Sequence, residues 1–191
     1  MPVDLNSLVP EFRAKVLDLL ARCVEQNVPM RVTDALRTPA QQARIWRRTR
    51  TSAEVQAGIA QLQNSGAPFL ASVLEGVGPQ GLQPGETLGS HLTKVLPGNG
   101  WHQWGEAVDC AWFPGGVYEP SASKLVDGVN GYHVYADIAA TMELQPGGHW
   151  TTFKDWPHVQ FSKKDNPIAA GKSWASIDAE MKARFGADPL K

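Results

Sequence analysis

Apolar side chains return at helical spacing near the start of the chain, at Leu8, Phe12, Val16, Leu19, Leu20 and Cys23. That pattern predicts a helix from Asn6 or Ser7 to about Gln26, its regular part beginning near Pro10, where proline suits a first turn. Met30–Thr33 reads as a short strand. Thr38-Pro39 predicts a cap and first helical position for a helix through Gln41, Gln42, Ile45 and Trp46. Thr51 or Ser52 caps another to about Leu62, and 67–74 is a further short one. Glu75 to Asn99 alternates glycine with proline and reads as a long loop, the kind that walls a groove or closes as a lid. Ala107–Trp112 reads as a buried strand and 114–131 as loop. Tyr132–Leu144 has helical periodicity, stopped by Pro146-Gly147-Gly148. Trp150–Phe153 and His158–Phe161 are short strand candidates, and Ser173–Phe185 is a final helix stopped by Gly186. Helices around a strand cluster, with no βαβ rhythm, predict an α+β fold with a small, mostly antiparallel sheet. We expect one domain over residues 1–191.

Composition narrows the function. The 18 Lys and Arg nearly balance 19 Asp and Glu, for a net charge of -1, so no global basic field favours nucleic acid. No apolar run is long enough for a membrane span. The first residues, MPVDLNSLVPEF, lack the basic and apolar regions of a secretory signal. The two cysteines, Cys23 and Cys110, read as buried thiols. The basic run Arg44, Arg47, Arg48 and Arg50 reads as a solvated helix face.

The five histidines are few enough to weigh singly. His91 and His133 read as surface residues. His102 and Asp109 bracket a turn at Gly105, which lets His102 fold back towards Asp109. His158, brought in from another strand, completes two imidazoles and one carboxylate. That is a ligand set for catalytic zinc with an open fourth position. Asp155, three residues before His158, adds a second carboxylate. Spacing alone does not say which carboxylate ligates and which moves the proton.

His102 to Asp109 resembles the H-x-x-G-x-A-x-D core of the zinc D-alanyl-D-alanine peptidase family. That family includes the VanX/VanY-like dipeptidases and carboxypeptidases and the L-alanyl-D-glutamate peptidases of phage endolysins. Asp155 to His158 resembles its second motif. Arg37-Thr38 with Gln42 resembles its R-[ST]-x-x-x-Q segment, and Gly147-Gly148-His149-Trp150 its G-G-x-W stretch. The four segments run in the expected order across about residues 30 to 162.

The resemblance implies a Hedgehog/DD-peptidase-like fold and a Zn2+ cofactor held by His102, Asp109 and His158. It implies Asp155 as catalytic base and Arg37 as the group that steadies the substrate carbonyl or carboxylate. His149, Trp101, Trp156 and Gln42 are candidate substrate contacts. Two positions depart from the family: Gly100 stands where a serine is usual, and Asp155 where many members have Glu. The aspartate points to the L-alanyl-D-glutamate endopeptidases.

The expected activity is therefore that of an endolysin, a monomer cleaving the L-Ala–D-Glu bond of peptidoglycan peptide stems. It would bind neither nucleic acid nor membrane stably. It would be made in the cytoplasm of a phage or prophage host and reach the periplasmic wall through a holin-like route. The alternatives are a D-alanyl-D-alanine carboxypeptidase or dipeptidase, and a catalytically silent wall-binding module.

Overall fold

In the computed structural model the described residues are 3–78 and 93–191. The chain divides into two compact units. The first comprises Met1–Leu36 and Trp104–Lys163, the second Arg37–Gln103 and Lys164–Lys191.

The first unit holds a four-stranded sheet of β1 (Met30–Asp34), β2 (Ala107–Trp112), β3 (Gln145–Pro146) and β4 (His158–Gln160). Its order is β1-β2-β4-β3, and every described pairing is antiparallel. Helix α1 (Pro10–Glu25) buries Phe12, Val16, Leu19 and Cys23, the stripe that a 3.6-residue period puts on one face. They join Val108, Cys110, Trp112 and Val159 of the sheet, and Tyr132, Tyr135 and Ala139, in one core.

The second helix of this unit, numbered α5 in chain order, spans Gly131–Thr141. The Asn130 side chain caps it, accepting from the amides of Tyr132 and His133 at 3.0 and 3.4 Å. The Asn130 amide also donates to the carbonyls of Ser121 and Lys124, so the same side chain pins the preceding loop. The helix ends three residues earlier than the periodicity suggests, because Glu143 adopts a left-handed φ of 61°. Leu144 is still buried, which explains why it matched the helical pattern.

The strand candidate Trp150–Phe153 is a bend, with Phe153 67% exposed. The edge strand is instead Gln145–Pro146, paired with Gln160 and Val159. Two residues with no alternation carry no readable period, which is why the pattern missed them.

The second unit packs α2 (Pro39–Arg47), α3 (Ser52–Asn64), α4 (Pro68–Gly76) and α6 (Trp174–Phe185). Thr38 with Gln41, and Thr51 with Glu54, form reciprocal capping boxes that satisfy the first free amides of α2 and α3. α4 lacks a side-chain cap of its own. The buried Asp178 of α6 supplies it, accepting from the Leu70 and Phe69 amides at 2.8 and 3.3 Å. Of the long loop expected over Glu75–Asn99, Glu75 and Gly76 belong to α4, and residues 79–92, His91 included, lie outside the described residues. Among the described residues no helix is long and apolar enough to cross a membrane.

Candidate metal centre

Antiparallel pairing of β2 with β4 sets Asp109 directly opposite His158. Directly opposed residues share a face of the sheet, and here His158 Nδ1 lies 3.1 Å from Asp109 Oδ1. The backbone holds this register from both sides. The Cys110 amide donates to the Pro157 carbonyl at 2.9 Å. The Thr33 hydroxyl donates to the Asp109 carbonyl at 3.1 Å, beside a register shift in β1 between Val32 and Asp34. Burial by itself would push the His158 pKa down. The hydrogen bond and charge of Asp109, with the charge of Asp155 and a bond to Gln160, outweigh it and hold the pKa above the ordinary histidine value.

Asp155 reaches this neighbourhood through a tight turn. The His158 amide donates to the Asp155 carbonyl at 3.1 Å, and the Asp155 amide to the Gly147 carbonyl, also at 3.1 Å. Gly147 makes the approach possible: a Cβ there would lie 2.4 Å from the Asp155 carbonyl oxygen and 3.1 Å from the His158 Cβ. The glycine pair read from the sequence as a helix stop is thus the surface against which the Asp155–His158 turn is laid.

His102 sits on a 3-10 turn, Trp101–Trp104, that runs into β2 through Gly105. Gly105 has φ +71°, and a Cβ there would meet the Ser7 carbonyl oxygen at 2.9 Å, so the position needs glycine twice over. Within the second unit the turn is tied down by buried amides. Gln103 Oε1 accepts from the Gly100 amide at 3.2 Å, and the Arg37 amide donates to the His102 carbonyl at 3.2 Å. Gln42 Oε1 accepts from Arg37 Nη1 at 2.8 Å and from Gln103 Nε2 at 3.5 Å, while its own Nε2 donates to the Val95 carbonyl at 2.7 Å.

One donor atom each from His102, Asp109 and His158 lies within 4.8 Å of the other two. Ligand atoms about 2.0–2.1 Å from a shared zinc at tetrahedral angles stand about 3.3 Å apart. The Asp109–His158 separation of 3.1 Å already matches that edge. Two imidazoles and a carboxylate, His102 and His158 both buried, form a set that can hold a metal ion and suit zinc by donor type.

The other sequence candidates divide by burial. Gln42 is 1% exposed and its amide is spent as described. Trp101 is buried, its indole N–H donating to the Lys164 carbonyl at 2.7 Å. Both support the fold around His102 and present no open polar face. Trp156 is half-buried and stacks on His133, ring centroids 4.2 Å apart. His149 is exposed and meets Asp137 through Nε2 at 2.9 Å.

The arginine run is not simply a solvated face. Arg47 donates to the Leu74 carbonyl, Arg44 to that of Leu190 and Arg50 to that of Thr93, and Arg50 also lies 3.9 Å over the Trp46 ring. Cys110 points into the core, and burial pushes its thiol pKa up to about 12. Two residues at the site escaped the sequence reading: Gln103, and Gln160, whose Oε1 lies 3.1 Å from His158 Nε2. The period-2 spacing of Gln160 from His158 on one strand was the available signal.

No known family profile matches the chain, and no curated protein matches it. Solved structures give a match to the crystal structure of Serratia marcescens L-Ala D-Glu endopeptidase ChiX. Identity is 22%, coverage is 83% of this chain and 83% of that one, and the TM-score is 0.41. A likeness that loose carries no argument about activity, and the site stands on its own residues.

Proposed function

We propose that the protein is a zinc-dependent peptidoglycan hydrolase that cleaves the L-Ala–D-Glu bond of the peptide stem. The observation that carries this reading is the His102, Asp109 and His158 cluster with Asp155 three residues ahead of His158 on the same turn. A metal site with a structural role needs no extra carboxylate beside its ligands, whereas a hydrolytic one needs a base. The ordered resemblance of four segments to the zinc D-alanyl-D-alanine peptidases supports the substrate class. Asp155 in place of Glu supports the endopeptidase subgroup.

His102, Asp109 and His158 would hold the zinc, which when bound supplies Lewis acidity to polarise a carbonyl and acidify water. Asp155 takes the proton of the attacking water and returns it to the leaving amine. Its charge already acts on the His158 ring, which supports its nearness to the ligands. Arg37 carries the fixed positive charge that offsets the developing oxyanion. Gln42 aims it, accepting from Nη1, and its backbone adjoins His102. Gln42 and Trp101 serve as supports, and Trp156 and His149 remain for contact with the stem peptide.

Mass spectrometry of the soluble products from purified peptidoglycan, with zinc-loaded protein, tests the reading. Stem peptides beginning at D-Glu, with L-Ala left on the glycan, are expected. Release of terminal D-Ala alone would replace it with a carboxypeptidase. A folded, zinc-loaded protein giving no product from walls of several chemistries would overturn hydrolysis.

A further inference from the structure

We propose that Gln160 is a positioning residue that fixes the tautomer and ring orientation of His158, so that Nδ1 is the nitrogen offered to the metal. The inference rests on the metal-centre reading above and goes beyond the ligands themselves. Gln160 is 2% exposed on β4, two residues from His158 and on the same face. Its Nε2 donates to the Ser162 carbonyl at 2.8 Å. A carbonyl accepts only, so this bond determines which end of the amide faces Ser162, and the other end, Oε1, faces His158 Nε2 at 3.1 Å. An amide oxygen also only accepts. His158 Nε2 must therefore carry a hydrogen, and in the neutral ring the lone pair is on Nδ1, turned towards Asp109 Oδ1 at 3.1 Å. In the metal-free protein the Nδ1 proton of the charged ring satisfies this pair. Once that proton leaves, the orientation imposed through Ser162 and Gln160 puts the lone pair on Nδ1, facing Asp109, where a shared metal would take the proton's place.

Metal-bound histidines commonly donate their second N–H to a carboxylate or carbonyl, and loss of that partner typically costs about 10–100-fold in metal affinity. A neutral amide in this place orients the ring without adding charge to a centre that already has Asp109 and Asp155 nearby.

The test uses the full chain and Zn2+, with affinity read by chelator competition and the ring read by two-bond 1H–15N correlation of His158. In the zinc-loaded protein Nε2 should carry the hydrogen and Nδ1 the metal-shifted signal. Gln160→Met, close in volume but without an acceptor, should weaken zinc binding about 10–100-fold. Gln160→Glu, which restores an acceptor, should bring affinity back towards wild type. A zinc-loaded wild-type spectrum with the hydrogen on Nδ1 and the metal-shifted signal on Nε2, or a folded Gln160→Met variant that binds zinc as tightly as wild type, would overturn the proposal. If the wild type takes up no zinc, the metal-centre reading fails instead. The spectrum of the metal-free protein, taken at a pH above the His158 pKa where the ring is neutral, then decides the tautomer alone: a hydrogen on Nε2 supports it and a bare Nε2 defeats it.

Discussion

Gly147→Ala tests how closely the Asp155–His158 turn is held against its neighbour. The added Cβ would sit 2.4 Å from the Asp155 carbonyl oxygen, where ordinary van der Waals contact begins near 3.4 Å. The gap to be made up is about 1 Å, and the obstructing atom is backbone, so no side-chain rotation relieves it. Gly147 is not in the left-handed region, so the effect is steric and not conformational. Overpacking of this kind costs about 1–3 kcal/mol. For a chain of this length each kcal/mol lowers Tm by about 2–4 °C, which gives a fall of roughly 2–12 °C. The functional loss should be larger in proportion, because a ~1 Å misplacement of a reacting group costs on the order of 100-fold in rate.

The matched control is Gly148→Ala, whose Cβ would meet the Trp156 ring at 2.5 Å. That ring is half-buried and can tilt away, so the rate should fall less. Thermal melts and initial rates of stem-peptide release, measured on both variants, check the pair. A Gly147→Ala protein with wild-type Tm and wild-type rate would refute the steric argument. Equal rate losses in the two variants would refute the claim that contact with the turn backbone is what matters.

Asp155→Asn should keep stoichiometric zinc while hydrolysis falls by about 100- to 10,000-fold, the usual contribution of a general base; full activity would remove Asp155 from that role. Metal analysis of His158→Ala should show less than one zinc per chain, and an unchanged content would remove it as a ligand. Because the folded His158 pKa is raised, this group stabilises the metal-free protein fully below about pH 6.5 and the contribution is lost as pH rises through the raised value. Zinc competes with that proton, so the Tm gained on adding zinc should shrink as pH falls through the same range; a gain independent of pH would contradict the competition. Asp178→Ala leaves the Leu70 and Phe69 amides at the start of α4 without their acceptor and should cost about 1–3 kcal/mol by denaturant titration.

The helices are legible where an amphipathic stripe coincides with a cap or a first-turn proline. Pro10, Thr38-Pro39, Thr51 and Ser173 begin or cap helices within a residue or so of where the sequence suggests. Local chemistry decides those positions: Pro10 supplies a preset φ at a first turn without any side-chain cap, and at Thr38, Thr51 and Ser173 a side-chain oxygen reaches a free amide of the first turn. The cap of α4 was not legible, since its acceptor is Asp178, more than a hundred residues away. The edge strand Gln145–Pro146 was hidden for a similar reason, being defined by its partner in β4 and not by any pattern of its own. Glycines were readable as punctuation but not as contact surfaces. Gly147 looks like a helix stop in the sequence, and its importance lies in the backbone oxygen of Asp155 packed against it.

The same distinction governs the site. His102, Asp109 and His158, which the sequence pattern singles out, lie together; they are legible because metal chemistry restricts which residue types can appear and the motif spacing is short. Gln42, Gln103 and Gln160 are ordinary residues whose meaning comes from what their amides face. Gln42, whose place after Arg37-Thr38 suggests a substrate contact, is 1% exposed and accepts from Arg37. A glutamine amide has one accepting end and one donating end, so once buried it imposes a direction on its neighbours. Gln42 uses its oxygen on Arg37 and Gln103 and its nitrogen on Val95, while Gln160 uses its oxygen on His158 and its nitrogen on Ser162. In both cases the nitrogen is committed to a backbone carbonyl, which leaves the oxygen to orient a residue of the site. Replacing either glutamine by an isosteric apolar side chain should therefore disturb orientation more than stability. That separates these two amides from core residues such as Phe12 or Leu19, whose loss would be felt first as unfolding.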